Sequence, residues 1–275
     1  MVAHLERLVA IQTENPPGTR YLECVAALVD VMASLGLHAA VVPIDSPGLP
    51  RAAVCATLGE TGPALYLHGH YDVVPAQSPD QFAPRVEGDT VFGRGTSDMK
   101  SGLVAMMHAA AALRDLGVPL NGRLGLVFVP DEETGGHFGS AALAAQGLLG
   151  RDAVGMLLGE PTSGRVWHAN HGAISGEITV RGRSAHVALQ HMGVNAFERA
   201  LPLVGAFLEL KRDVERRPGS VLLVGGRVEA GTNFNVVPDF CRFSFDRRIT
   251  PDESLDTERQ RMLDLVERAK RDGAE

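Results

Sequence analysis

Three short apolar runs in this chain end in groups able to hold protons or metal ions. Ala64 to Leu67 leads into His68, Gly69, His70, Tyr71 and Asp72; Leu124 to Val129 leads into Pro130, Asp131, Glu132 and Glu133; Val154 to Leu158 leads into Gly159 and Glu160. If these runs are strands of an open α/β sheet, the groups at their carboxyl ends face one crevice, where such sheets bind ligands. Carboxylates gathered there without a cation would repel one another, and a divalent ion with an imidazole ligand relieves that cost. The residue types therefore ask for a metal. Each residue alone has a plainer reading. A histidine at a strand end is commonly a hydrogen-bonded structural residue, paired acids such as Glu132 and Glu133 commonly mark an exposed loop, and Asp98, just before a helical stretch beginning at Met99, suits an N-cap.

Other chemistries fit less well. Gly93-Arg94-Gly95-Thr96-Ser97-Asp98 carries Asp where a dinucleotide fingerprint needs its third glycine, and Met99 stands where a phosphate loop ending in Lys100-Ser101 needs glycine. Neither Ser97 nor Ser184 lies in a GxSxG elbow. With 26 Lys and Arg against 33 Asp and Glu the net charge is −7, which disfavours nucleic acid as a partner. The three cysteines, Cys24, Cys55 and Cys241, form no CxxC and read as small buried hydrophobes of a reducing cytoplasm. His4, Glu6 and Arg7 interrupt the first apolar stretch and no run approaches a membrane span, so a soluble, unexported, cytoplasmic protein without membrane partners is expected.

The elements that must position these residues follow from apolar spacing. Helices are expected near the start, over Leu22 to Leu35 with Gly36 as a left-handed cap, over Met99 to Leu116, and over Ser140 to Gly147. Strands are expected at Val41 to Ile44, Ala53 to Leu58, Ala64 to Leu67, Leu124 to Val129 and Val154 to Leu158, short and apolar as in a sheet covered on both faces. This alternation predicts a three-layer α/β domain over residues 1–172. Over residues 173–275 the order changes to strand Ala173 to Val180, helix Val194 to Val214, strands Val221 to Val228 and Phe234 to Phe245, and helix Glu253 to Ala269, a βαββα, ferredoxin-like α+β pattern.

The segments HGHYDVVP (68–75), GRGTSDMKSG (93–102), PDEETGG (130–136), GEPT (159–162), GRSAH (182–186) and TNFNVVPD (232–239), in this order and spacing, resemble the M20 metallopeptidase family. That family includes acetylornithine deacetylase, succinyl-diaminopimelate desuccinylase, aminoacylase and glutamate carboxypeptidase. The resemblance implies a zinc-peptidase-like catalytic domain with an inserted dimerisation or lid domain, two Zn(2+) per subunit with Co(2+) or Mn(2+) as substitutes, and a homodimer. It implies that His70 and Glu160 hold the first metal, Asp98 bridges both, and Glu133 holds the second. Asp72 would orient His70, and Glu132 would act as general base. His186 would reach the partner subunit's active site to steady the oxyanion, and Asn235 and Arg248 would contact the substrate carboxylate. The implied reaction is hydrolysis of the amide of an N-acyl amino acid, with a dipeptidase or carboxypeptidase activity as the alternative. His68, His137, His168, His171 and His191, and the Met99, Met106, Met107 stripe, are expected to be structural.

Members of the family usually return to the catalytic domain after the inserted one and supply one more metal-binding histidine there. The chain stops at Glu275 with no residue matching it. The expectation is a fragmentary member with a weak second site and weak or absent turnover, and with a sheet edge left uncovered.

Overall fold

In a computed structural model, which describes residues 1–150 and 152–271, the chain divides into two compact units, Met1–Val166 and Trp167–Glu275. The larger unit contains helices α1 (Val2–Val9), α2 (Tyr21–Ser34), α3 (Lys100–Asp115) and α4 (Ser140–Ala145). Its strands are β1 (Ala39–Ile44), β2 (Arg51–Leu58), β3 (Ala64–His70), β4 (Arg85–Glu87), β5 (Thr90–Phe92), β6 (Arg123–Val129) and β7 (Ala153–Leu158). Five strands form one sheet in the order β1-β2-β6-β3-β7, with β3 parallel to both β6 and β7.

Strand alternation assigns residues to two cores. Ala52, Val54, Ala56, Leu67, Leu124, Leu126 and Phe128 face α1, α2 and α3, whereas Ala53, Ala64, Tyr66, Val127 and Val129 face the layer that holds α4 and Leu143. This is the three-layer arrangement that apolar spacing predicts. Gly36, at φ 65°, follows α2 as expected. The small β4–β5 hairpin lies outside the predicted elements, because strands of three residues carry too little pattern to be seen. Strand β7 ends the sheet, and Val154, Leu157 and Leu158 on it are each more than half exposed.

The smaller unit is β8 (Gly172–Arg181), α5 (Ala196–Val214), β9 (Val221–Ala230), β10 (Phe240–Ile249) and α6 (Leu255–Arg271). Its antiparallel sheet has the order β8-β10-β9, and Val180, Leu222, Cys241 and Phe243 meet Leu203, Phe207 and Met262 of the two helices. The last strand begins at Phe240 rather than at Phe234. Residues 231–239 are loop, closed by hydrogen bonds from the Val236 amide to the Asn233 carbonyl and from the Val237 amide to the Ala185 carbonyl, with Phe234 almost wholly exposed. No helix among the described residues is long and apolar enough to cross a membrane.

A buried charge network joins β10 to α6. The Arg247 guanidinium, fully enclosed, donates to Glu253 at 2.5 Å and to Glu258 at 2.9 and 3.1 Å, and Arg261 donates to the other Glu258 oxygen at 2.9 Å. Glu253 also accepts from Ser220 Oγ at 2.8 Å and the Thr250 amide at 2.9 Å. Burial opposes the Glu253 charge, but hydrogen bonds from Thr250, Ser220 and Arg247 pull its pKa down to about 2. Because the folded pKa lies below the ordinary 4.5, the stabilisation is present above pH 4.5 and is lost as pH falls from there toward 2. Glu253→Gln should cost about 2 kcal/mol near neutral pH. Urea denaturation repeated at pH 6 and pH 3 should show the wild type losing more stability on acidification than Glu253→Gln.

Candidate metal centre

Three adjacent strand ends build the site. In the parallel register His70 lies opposite Val129 of β6, and His68 opposite Leu158 of β7, so the segments that follow begin side by side. The Tyr71 amide donates to the Val129 carbonyl at 3.0 Å and the Gly159 amide to the His68 carbonyl at 3.2 Å, extending that alignment one residue past each strand. Helix α3 brings Asp98. Its first turn packs so closely on the end of β7 that a Cβ on Gly102 would collide with the Gly159 carbonyl oxygen, so two glycines are needed for the approach. The Asp98–Met99 peptide bond is cis. Met99, not Asp98, occupies the N-cap position of α3, and no side chain caps that helix. The capping alternative for Asp98 is thereby removed.

Around the buried His70 imidazole the acids converge. Nε2 lies 3.1 Å from Asp98 Oδ1, 3.5 Å from Glu160 Oε1 and 3.8 Å from Glu132 Oε2. His70, Asp98 and Glu160 each offer a ligand atom within 4.8 Å of the others, and they are the one such group of three among the described residues. On its other side the ring is held by the Asp72 backbone carbonyl, 3.0 Å from Nδ1, with the Asp72 carboxylate at 3.4 Å. Either acceptor places a proton on Nδ1 and aims Nε2 at the acids. Asp72 thus meets the ring through both its main chain and its carboxylate, the main chain making the shorter contact.

The electrostatics describe a cluster short of positive charge. Burial opposes protonation of His70, but hydrogen bonds to Asp72 and Asp98 and the field of Glu160 carry its pKa up to about 11. Burial, with repulsion from neighbouring acids, raises Glu132 and Glu160 above the usual carboxylate range, while the charge of His70 works the other way. Glu133 is pushed up to about 7, chiefly by burial and then by Asp98. One imidazole and two carboxylates, with further acids around them, suit a borderline divalent ion of the zinc, cobalt or manganese kind, which would take the place of the His70 proton. Glu133 does not join this group. Its Oε1 accepts from the Val74 amide at 3.1 Å.

A layer behind the acids holds them. Asp72, fully buried, accepts from Asn15 Nδ2 at 2.8 Å and from the amides of Glu132 and Glu133 at 3.2 Å each. These contacts keep its pKa down against burial, with His70 the largest contributor. Asn15 also donates to Thr134 Oγ1 at 2.9 Å, and Thr134 donates to Asp131 Oδ1 at 2.9 Å. Asp131 sits at φ 74°, a conformation Asp tolerates, and its other oxygen accepts from the Phe138 amide at 2.9 Å. Arg51 lies 3.8 Å from it. Sequence reasoning missed Asn15, Thr134, Asp131 and Arg51 as supports. Asp131 and Thr134, both inside the PDEETGG segment, carried a local signal, and Asn15 and Arg51 carried none.

Of the remaining expected residues, His186 and Asn235 lie together. The Val187 amide donates to the Asn235 carbonyl at 3.0 Å, and His186 Nδ1 accepts from the Ala188 amide at 3.2 Å, capping the short 3-10 turn Val187–Met192. His186 lines a cavity of about 620 Å³ with Arg183, Ser184, Leu189 and Met192. Arg248 lies near the far end of β10, roughly 27 Å along the strand from Phe240 at about 3.4 Å per residue. Its guanidinium is exposed and paired with Asp246 at 2.7 Å. The structure therefore does not bring Arg248 and Asn235 to one point. His68, read as structural, is buried, bonds Ser140 Oγ at 2.9 Å, and is driven by burial to a pKa of about 4.

Parallel strands β6, β3 and β7 thus end beside an imidazole and several carboxylates. The chain belongs to peptidase family M20/M25/M40, whose sequence profile matches residues 66–258. It is 34% identical over 214 residues to a probable succinyl-diaminopimelate desuccinylase of Staphylococcus epidermidis, an alignment covering 76% of this chain and 50% of the relative. It is 35% identical over 197 residues to a succinyl-diaminopimelate desuccinylase of Gluconobacter oxydans, covering 67% and 50%. The chain thus spans about half the length of these curated relatives. Among solved structures, a dipeptidase of Saccharomyces cerevisiae superposes with a TM-score of 0.75 at 14% identity, over 99% of this chain and 74% of that one. A dinuclear metal-binding M20 peptidase of Bacillus subtilis gives 0.59 at 18% identity, over 98% and 71%.

Two substitutions test how the centre is held. Gly102→Ala should force α3 away from β7, and Asn15→Ala should free Asp72 and the Glu132 loop. Each is expected to weaken zinc binding by about 10- to 100-fold, read by titration against a competing chelator, with far-UV circular dichroism unchanged.

Proposed function

We propose that the chain is a metal-dependent amidohydrolase that cleaves the amide bond of an N-acyl amino acid bearing a free carboxylate. The observation that carries this reading is the placement of Glu132 beside the His70–Asp98–Glu160 group, with Glu132 Oε2 at 3.8 Å from His70 Nε2. His70, Asp98 and Glu160 would hold one ion, zinc by preference, and Asp98 and Glu133 would share in a second. When bound, such an ion supplies Lewis-acid polarisation of the amide carbonyl and acidity to water. Glu132, on its short helical turn, takes the proton of the attacking water and returns it to the leaving nitrogen. Its raised pKa and half-exposed side chain suit both transfers. Asp72 keeps the His70 ring in one orientation throughout.

The acyl-amino-acid substrate class is supported by the desuccinylase relatives. In a homodimer formed through the smaller unit, His186 would steady the oxyanion of the partner's site and Asn235 would lie with it. Arg248, separated from both along β10, would meet a substrate carboxylate on its own, through two parallel hydrogen bonds. A second reading, a protein that binds metal or ligand without turnover, is favoured by one observation: Glu133 is turned to the Val74 amide and stands outside the three-ligand group.

The deciding experiment loads the protein with zinc, counts ions by elemental analysis, and assays N-succinyl and N-acetyl amino acids beside dipeptides. Acyl amino acids should be hydrolysed in preference. Glu132→Gln should lose about 10²- to 10⁴-fold in turnover while keeping its zinc, and His70→Ala should lose the zinc. Preference for dipeptides would move the assignment to a dipeptidase. A loaded protein that turns over nothing leaves the second reading.

A further inference from the structure

We propose that His4 and His108 form a second metal site, a two-imidazole clamp for a borderline divalent ion such as Cu(II), Ni(II) or Zn(II). The two residues are 104 positions apart, on α1 and α3, and His4 Nδ1 lies 3.1 Å from His108 Nε2. Two nitrogens each about 2.0–2.1 Å from a tetrahedral ion lie about 3.3 Å apart, so this spacing is close to the edge of a coordination polyhedron. Imidazole pairs suit copper, nickel and zinc, with water filling the other positions. Both residues are half-buried.

The clamp is organised without the ion. At the opposite end of the same helix pair, Lys100 Nζ, fully buried, donates to the carbonyls of Leu8 at 2.9 Å and Ile11 at 2.8 Å. That bond ties the start of α3 to the end of α1. The helices therefore run antiparallel, and His108 is set against His4 in a register fixed elsewhere. The rings, 5.2 Å between centroids and inclined by 36°, are not stacked but meet through their nitrogens. His108 lies eight positions along α3 from Lys100, a rise of about 12 Å, so the pair is separate from Asp98, which precedes that helix. An ion held here would staple α1 to α3.

The test uses the full chain without a histidine tag, titrated with Cu(II) and read by electron paramagnetic resonance and by elemental analysis after gel filtration. His70→Ala should still bind one copper with the coupling of two nitrogens, and adding His4→Gln or His108→Gln to it should weaken that binding at least tenfold. Should His70→Ala fail to fold, the comparison of wild type with the His4→Gln, His108→Gln double variant decides, with one copper fewer expected in the latter. Equal copper content in those two proteins, or a signal from His70→Ala that survives loss of both histidines, overturns the proposal.

Discussion

The geometry of the larger unit depends on one electrostatic constraint: several carboxylates crowd a single buried imidazole at the end of a parallel sheet. Burial strengthens each interaction there and makes each unpaired charge costly. The structure meets the constraint in layers. Asp72, fully enclosed, is satisfied by Asn15 and two loop amides and carries its charge at low cost. His70, with Asp72 on one side and Asp98 and Glu160 on the other, takes positive charge where His68, buried and bonded to Ser140, gives it up. The two histidines are two residues apart on the same strand, so environment and not sequence position gives their pKa shifts opposite directions.

Much of this was legible in the sequence because it is local. The strand ends, the acids that follow them, and the alternation of strand and helix are read directly from apolar spacing, and five predicted strands of the larger unit appear with ends shifted by a few residues. His70, Asp98 and Glu160 were also legible, since a family resemblance ties them together across 90 residues of intervening chain. What could not be read was long-range and side-chain specific. Asn15 precedes two prolines in a segment with no periodicity, and its bond to Asp72 spans 57 positions. Arg247 and Arg248 are neighbours of the same type on one strand. Alternation turns Arg247 inward to Glu253 and Glu258 and Arg248 outward to solvent, and no motif announces a buried arginine.

The expected strand over Phe234 to Phe245 fails in its first half for a related reason. The apolar residues Phe234, Val236 and Val237 alternate well enough to suggest a strand, but Pro238 cannot donate to a ladder. The segment instead bonds back to residues 185 and 187, which places Asn235 beside His186. The pattern that misled the secondary-structure reading is thus the same one that joins two of the residues selected for chemistry.

The strands that lead to His70 and Glu160 are not equally supported. His70 ends β3, which has a neighbour on each side and apolar contacts on both faces. Glu160 follows β7, which has β3 as its one partner in the sheet and exposes Val154, Leu157 and Leu158. What holds Glu160 near His70 is therefore the β3–β7 ladder and the glycine contact between Gly159 and Gly102, rather than burial of its own strand. Because Asp98 lies directly before the helix that makes this contact, the positions of Asp98 and Glu160 both depend on one small packing interface.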